Sequence, residues 1–283
     1  MTVFPNVKLN LGLRVLGKRP DGYHELESLF IPCDAFRDEL SIVPAPEFAI
    51  EIDGPCYRGW DPSEDLTARA WRLLRDEFGI DPVRIELRKD SPVGAGLGGG
   101  SADGAFALRA LNDIFSLGLD DAALAGFAAL LGSDCPFFIY NRPMLVTGRG
   151  DVLEPFDIDL SPFRIEVAVP EGVAVSTKEA YAGLDSRQVG APTDPVPAAP
   201  ASLPPCGWAP PSNSAEGGMP LGGCIHLPVE QWREALVNDF ERSVFPAHPE
   251  IAAIKEEFYR RGAIYASMSG SGSSVFALFP ANS

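Results

Sequence analysis

The run Pro92-Val-Gly-Ala-Gly-Leu-Gly-Gly-Gly-Ser-Ala102 crowds five glycines, Gly94, Gly96, Gly98, Gly99 and Gly100, into one short stretch and follows them with Ser101. Glycine lets a backbone come close to a ligand, and free amides at the start of a helix, where the positive dipole end lies, favour an anion. A strand should precede the run, because Val83, Ile85 and Leu87 alternate with Arg84, Glu86 and Arg88. A helix should follow it, with Ala105, Phe106, Leu108, Ala110, Leu111 and Phe115 at helical spacings and Ser101 as N-cap. Pro92, Val93, Gly94, Ala95, Gly96, Leu97, Gly98, Gly99, Gly100, Ser101 and Ala102 therefore read as a cradle for nucleotide phosphates. The plainer alternative is a flexible strand-to-helix turn, which the density of glycine disfavours.

Two familiar nucleotide motifs can be tested on the same residues. Gly94-Ala-Gly96-Leu-Gly98-Gly99 satisfies G-x-G-x-x-G in form, but that motif needs an acidic residue at the end of a strand some twenty positions on. Asp113 falls at about that distance inside a helical pattern, which disfavours a dinucleotide fold. A Walker A loop ends in Gly-Lys-Ser/Thr, and the chain contains no such tripeptide. It also lacks the His-Arg-Asp and Asp-Phe-Gly signatures of protein kinases.

Phosphoryl transfer asks for a phosphate cradle, positive charge or Mg2+ on the transferred group, a positioned acceptor hydroxyl and often a carboxylate to take its proton. Candidates exist for each. Ser101 can donate to a phosphate or help hold Mg2+, or it can serve only as a helix cap. Asp134, in Gly132-Ser-Asp-Cys-Pro-Phe-Phe138, is the candidate general base; such a carboxylate needs a neighbouring cation to stay ionised, and Lys8 is the natural one. The competing reading of Asp134 is a residue that only caps the next helix. Tyr23 and His24 set an aromatic face beside a ring with donor and acceptor nitrogens, a pair able to stack on a base and read its edge, or simply to sit at a half-buried surface. The loop Ser269-Gly-Ser-Gly-Ser273 offers further amides, or is a tight turn before a strand.

These residues need elements to hold them. Val7, Leu9, Leu11, Leu13 and Val15 alternate with Lys8, Asn10, Gly12 and Arg14, a strand that projects Lys8 and Asn10 to one side. Pro20-Asp21-Gly22 turns the chain, and Glu25 to Ile31 returns as a second strand. A helix is expected from Leu66 to Phe78, after Ser63, closed by Gly79, and another from Asp120 to Leu131, closed by Gly132. Phe163, Ile165, Val167 and Val169 form a strand after a proline-bounded stretch, where the domain boundary is placed. From about 185 to 225 proline and glycine accumulate without apolar period, so this segment reads as an insertion outside the core. Helices are expected from Gln231 to Phe240 and from Pro249 to Arg261, and a buried strand from Val275 to Phe279.

Composition bounds the partners. With 283 residues and 46% apolar content, the chain can bury one large core or two moderate ones. A formal net charge of -16 argues against nucleic acid and anionic membrane as partners, so a phosphate site must be locally basic. Lys8, Arg14, Lys18 and Arg19, with no acidic residue among the first twenty, supply such a region. The cysteines Cys33, Cys56, Cys135, Cys206 and Cys224 are odd in number and form no Cys-x-x-Cys pair, as expected of reduced thiols in a cytoplasmic protein. With few histidines as well, a structural zinc site is not expected. No apolar run reaches membrane-spanning length and no leader pattern opens the chain, so a soluble, unprocessed protein is expected.

Taken together, the segments resemble the GHMP kinase superfamily. Pro92 to Ala102 is similar to its P-x-x-x-G-L-G-S/G-S-A loop, which alone leaves homoserine, mevalonate, galactose and other small-molecule kinases open. Lys8-Leu-Asn-Leu11 and Arg19-Pro-Asp-Gly-Tyr-His24 resemble the K-L-N-L and R-x-D-G-Y-H signatures of the branch that acts on a cytidylated alcohol. Gly132 to Phe138, Thr147-Gly-Arg-Gly-Asp151, Asn238-Asp-Phe-Glu241 and Ser269-Gly-Ser-Gly272 extend the match along nearly the whole chain. The resemblance implies an α+β chain with the two-domain GHMP fold. Residues 1–158 would form an N-terminal ATP-binding and catalytic domain like ribosomal protein S5 domain 2. Residues 159–283 would form a ferredoxin-like, substrate-binding GHMP domain carrying the insertion at about 185–225. It implies ATP with Mg2+, and transfer to the 2-hydroxyl of 4-diphosphocytidyl-2-C-methyl-D-erythritol in non-mevalonate isoprenoid synthesis. It also implies roles: Asp134 as base, Lys8 as its partner, Asn10 on the substrate's polar groups, His24 on the cytosine edge, and Tyr23 and Tyr181 stacking on its faces. Two departures stand out, and one is that the proline-rich insertion exceeds what the family is expected to have between the stacking tyrosine and the Asn-Asp segment. The family commonly has Glu-Asn-Leu where this chain has Glu64-Asp65-Leu66, and an acceptor-only aspartate would change hydrogen bonding to an adenine there.

Overall fold

The computed structural model describes residues 1–185 and 219–281. Its first half runs β1 (Thr2–Val3), β2 (Asn6–Lys18), β3 (His24–Arg37), β4 (Glu39–Pro44), β5 (Ala49–Asp53), α1 (Leu66–Phe78), β6 (Val83–Arg88), α2 (Gly99–Ile114), α3 (Asp121–Leu131), α4 (Cys135–Tyr140), β7 (Met144–Thr147) and β8 (Val152–Pro155). The rest comprises β9 (Phe163–Ala168), α5 (Thr177–Asp185), α6 (Leu221–Ile225), α7 (Trp232–Ala235), α8 (Glu241–Ala247), α9 (Pro249–Arg260), β10 (Tyr265–Met268) and β11 (Val275–Pro280). Among the described residues no helix is long and apolar enough to cross a membrane.

Three sheets carry the strands, in the orders β1-β4-β6-β5, β2-β3-β7-β8 and β10-β11-β9. Among the described strands β5 and β6 run parallel and the other pairs are antiparallel. Among the described residues, strands from before and after residue 158 share no sheet, apart from a single bridge between Leu13 and Asn238, yet the core crosses that line. Leu40, Ile42, Ile85 and Leu87 pack under Trp71, Leu74, Leu108 and Leu111 in one cluster. Val7, Leu9, Leu11, Leu29 and Ile31 pack with Leu221, Trp232, Tyr265, Phe276 and Leu278 in a second. Each fully buried aliphatic side chain of this kind stabilises by roughly 1.5–3 kcal/mol, so β2 joins the two halves strongly. The C-terminal sheet has three strands among the described residues, one fewer than a β-α-β-β-α-β unit contains.

Helix ends follow local chemistry. Asp65 begins α1 by accepting from Thr67 N at 2.9 Å, and Gly79 ends it in the left-handed region at φ 66°. Asp120 caps α3 through Ala123 N at 2.8 Å.

Several expectations change. Ser101 is not the N-cap of α2: Gly98, at φ 72°, takes that position and Ser101 lies in the first turn. β2 is buried on both faces as far as Leu13, not half exposed, because the polar side faces other parts of the protein. The expected helix from Gln231 to Phe240 stops after Ala235. Leu13 N donates to Val237 O and Asp239 N to Leu13 O, so the chain leaves the helix to pair beside β2. The expected insertion is too long at its C-terminal end, since Leu221, Cys224 and Ile225 are buried in α6. Residues 186–218 of that segment lie outside the described residues.

Candidate active site

β2 presents Lys8 and Asn10 on the face opposite Val7, Leu9 and Leu11, and all five side chains are buried. Lys8 Nζ donates to Asn10 Oδ1 at 2.5 Å, stands 3.5 Å from Asp134 Oδ2 and lies 4.3 Å from the centre of the Phe30 ring. Burial pulls the Lys8 ammonium below its ordinary range, and the Asp134 charge opposes that fall. Asp134 occupies the N-cap position of α4, yet its side chain makes no capping bond. The capping alternative is thereby removed, and the carboxylate turns to Lys8 instead.

Asn10 does more inside the protein than its expected substrate role requires. Its Oδ1 also accepts from Ser269 Oγ at 3.3 Å, and its Nδ2 donates to Ser28 Oγ at 2.9 Å. The amide therefore holds the Lys8 ammonium and ties β2 to the 269–273 loop. That loop interlocks with the glycine run: Ser274 N donates to Ala95 O at 3.1 Å, Ser269 Oγ to Gly96 O at 3.1 Å, and Lys8 N to Leu97 O at 2.9 Å. A Cβ on Gly96 would sit 2.1 Å from Ser269 O, so glycine is required there.

The glycine run separates two hollows. One, of about 420 Å³, is bordered by Lys8, Asn10, Asp134, Arg149, Thr177 and Tyr181. The other, of about 400 Å³, is bordered by Trp60, Asp65, Lys89, Pro92, Val93 and Asp103. Gly94, Gly96, Gly98 and Ser101 border both. No side chain caps the first turn of α2, so its amides face this junction with the positive end of the helix behind them. Ala95, Leu97 and Ala102 are buried and shape the run from within, whereas Gly100 has open space where a Cβ would be. A larger hollow of about 620 Å³ lies on the outer face of the β1-β4-β6-β5 sheet, bordered by Glu39, Glu51, Asp53 and Glu86. With four carboxylates against the Arg88 guanidinium its lining is net acidic and repels a polyphosphate, and neither Lys8 nor Asp134 borders it.

The aromatic residues divide. His24 stacks on Tyr181, with ring centres 4.5 Å apart and planes at 19°, and Phe240 meets Tyr181 edge-on at 4.8 Å. Tyr23 stands exposed and carries the Arg149 guanidinium 5.1 Å from its ring centre. Thus His24, not an open gap, lies against Tyr181. Burial first and the Asp134 charge second push the Tyr181 phenol up, which ties this aromatic group electrostatically to the base candidate.

Some participants escaped sequence reasoning. Lys89 Nζ lies 2.5 Å from both Asp38 Oδ2 and Asp103 Oδ2, fully buried beneath the first turn of α2. An available signal was Asp103 itself, a charge among the buried alanines Ala102, Ala105 and Ala107. Burial pulls the Lys89 ammonium down, but Asp103 and Asp38 more than reverse it and hold it above its ordinary range. Burial, with Asp38 nearby, holds the Asp103 carboxyl well above the usual carboxylate range against the pull of Lys89. The departure at Asp65 has a local reason: besides Thr67 N, it accepts from Thr67 Oγ1 at 2.7 Å and from the Trp60 indole at 3.2 Å. Every one of these bonds needs an acceptor, which a carboxylate supplies at both oxygens.

The sequence matches the GHMP kinases N terminal domain over residues 65–142 and the GHMP kinases C terminal domain over residues 227–283. It is 42% identical to a 4-diphosphocytidyl-2-C-methyl-D-erythritol kinase of Bacteroides thetaiotaomicron, across 99% of this chain and 92% of the relative. A kinase of the same name from Parabacteroides distasonis is 43% identical over the same shares. A solved 4-(cytidine 5'-diphospho)-2C-methyl-D-erythritol kinase, 30% identical, aligns with a TM-score of 0.75 over 98% of this chain and 90% of its own. The mevalonate kinase of L. major in complex with R-mevalonate aligns with a TM-score of 0.65 at 14% identity, over 99% of this chain and 87% of its own, a likeness of fold alone.

Proposed function

Because this chain belongs to the GHMP kinase family, we propose that it transfers the γ-phosphoryl group of ATP to the 2-hydroxyl of 4-diphosphocytidyl-2-C-methyl-D-erythritol, a step of non-mevalonate isoprenoid synthesis. The observation that carries the reading is the Lys8 and Asp134 pair, 3.5 Å apart, bordering a cleft whose other wall is the uncapped N-terminus of α2. A base, a cation and an anion site thus meet in one hollow.

On this reading the triphosphate lies along Gly94 to Ser101, held by backbone amides and the helix dipole, with the nucleoside in the hollow bordered by Trp60 and Asp65. The acceptor hydroxyl sits at Asp134, whose carboxylate takes its proton as the oxygen attacks. Lys8 stabilises that carboxylate and, with Asn10 holding it, does not wander. Among the described residues no three His, Cys, Asp or Glu side chains converge as a metal cluster. Mg2+ when bound would offset phosphate charge, and Ser101, which borders both hollows, is the side chain that would help hold it beside the phosphates. The cytosine takes the place His24 holds against Tyr181, leaving His24 at its edge and Tyr23 on the outer side. The domain division at 158/159 then separates sheets but not the site, since Tyr181 alone of the base-binding set comes from the second half.

The test is ATP consumption with the cytidylated alcohol against homoserine, mevalonate and galactose. Turnover confined to the cytidylated alcohol supports the reading. Faster turnover with any other acceptor overturns it.

A further inference from the structure

A cytidylated alcohol carries its diphosphate between the base and the carbon chain that bears the acceptor hydroxyl. On that reading the base end lies at Tyr181, which borders the hollow and carries His24 on its ring, and the hydroxyl end at Lys8 and Asp134. Two negative charges must therefore cross the space between them. Among the described residues, Lys8 and Arg149 are the lysine and arginine side chains that border the hollow. Lys8 is buried and already faces Asn10 and Asp134.

Arg149 is placed differently. It stands at the tip of the β7–β8 turn, between Gly148 at φ 70° and Gly150 at φ 94°, conformations that glycine adopts freely. Leu26 N donates to Gly148 O at 2.8 Å, which ties this tip to β3 two residues beyond His24. Asp151 steadies the arginine from one side: Oδ1 accepts from Arg149 N at 2.9 Å, and Oδ2 from Nε at 3.3 Å and Nη2 at 3.2 Å. The guanidinium lies over the Tyr23 ring, and among the described residues its Nη1 has no partner. An arginine fork steadied on one edge and open on the other, at the border of the hollow, is suited to a phosphate oxygen.

We infer that Arg149 recognises the diphosphate of the substrate and so sets the preference for a nucleoside diphosphate over an uncharged nucleoside. The inference rests on the cytidylated-substrate reading above. Asp151 and Tyr23 act through Arg149 as positioning residues, one holding the guanidinium and the other supporting its face.

Calorimetric titration of cytidine diphosphate and of cytidine into the whole protein tests it, with Arg149→Gln and Arg149→Lys beside the unaltered chain. Arg149→Gln should weaken cytidine diphosphate about 10- to 100-fold, the range for loss of a charge-assisted hydrogen bond. Cytidine affinity, the KM for ATP and the melting temperature should hold, and Arg149→Lys should recover part of the loss. Equal losses for cytidine and its diphosphate would mean that Arg149 only supports Tyr23, and a rise confined to the KM for ATP would assign it to the other nucleotide; either overturns the inference. Unchanged diphosphate affinity in Arg149→Gln overturns it too while leaving the substrate reading intact. If the unaltered chain binds neither ligand, the substrate reading itself fails.

Discussion

Lys8 and Asp134 face each other across 3.5 Å with unequal access to water: the lysine side chain is 4% exposed and the aspartate 32%. The buried partner is fixed in place, and the half-exposed one is open to the hollow it borders. Asp134→Asn keeps the shape and removes the proton acceptor. Its kcat should fall about 10²- to 10⁴-fold, the usual worth of a positioned general base, with KM for both substrates nearly unchanged. Near-normal turnover in steady-state assays would remove Asp134 as the base.

Lys8 predicts an alkaline limb in the rate profile. Burial lowers its proton affinity, so it becomes neutral at a pH below the ordinary lysine range of about 10.4. Turnover should therefore decline on the alkaline side earlier than an exposed lysine would dictate, and Lys8→Met should abolish that limb along with most activity. The stability effect has the opposite sign. Below the lowered value the buried charge costs stability in full; as pH rises through it towards the unfolded value, the unfolded chain holds more protons and the cost is relieved. Denaturant midpoints of Lys8→Met and the unaltered chain should accordingly differ most at neutral pH and converge as pH rises.

Elements with strict periodicity were legible: β2, β6, α1, α3, β9, α9 and β11 all follow from spacing and end signals, and so does the placement of Lys8 and Asn10 on one side. The glycine run was legible as a loop between a strand and a helix, but the helix cap was not, because Gly98 takes that place in a loop folded against Ser269 and Phe138. The stretch after Ala235 looked helical until the pairing with Leu13, over two hundred residues distant, claimed its backbone. The Lys89 cluster and the hold of Asn10 on Lys8 depend on such distant pairings too, and local pattern carries no trace of the partners.

Two glycines of the loop should separate folding from ligand binding. Gly96 has φ 77° and no room for a Cβ against Ser269 O, so Gly96→Ala should lower the melting temperature as well as ATP affinity. Gly100 is helical and a Cβ there meets no atom within 4 Å. Gly100→Ala should raise stability by up to about 1 kcal/mol through helix propensity, yet weaken ATP by crowding the amides. Retention of full ATP affinity in Gly100→Ala would move the triphosphate away from the first turn of α2.

His24 and Tyr181 predict a selective loss. Because their rings stack at 4.5 Å beside the cleft, His24→Ala should raise the KM for the cytidylated substrate while leaving the KM for ATP in place. The loss should be about 10-fold, in line with one buried polar contact plus part of a stacking face. Parallel losses for both substrates would count against a role on the base.

The buried Lys89 cluster should set the stability of the phosphate loop. Its ammonium is the counter-ion of both Asp38 and Asp103, and Gly99 packs so near that a Cβ would meet Ser91 Oγ at 2.3 Å. Lys89→Met leaves two carboxylates without a cation and should cost about 3–5 kcal/mol. The raised Asp103 carboxyl supplies the sign of the pH dependence. Between the unfolded value near 4 and its higher folded value the native state binds the extra proton, so stability from this group falls as pH rises through that window. Asp103→Asn removes this slope. It should also rescue part of the Lys89→Met defect, because only Asp38, already bonded to the Asp90 and Ser91 amides and the Ser91 hydroxyl, then remains charged. Urea unfolding of the two single variants and the double variant from pH 5 to 8 measures this coupling; strictly additive effects would mean that Lys89 and Asp103 do not act as a pair.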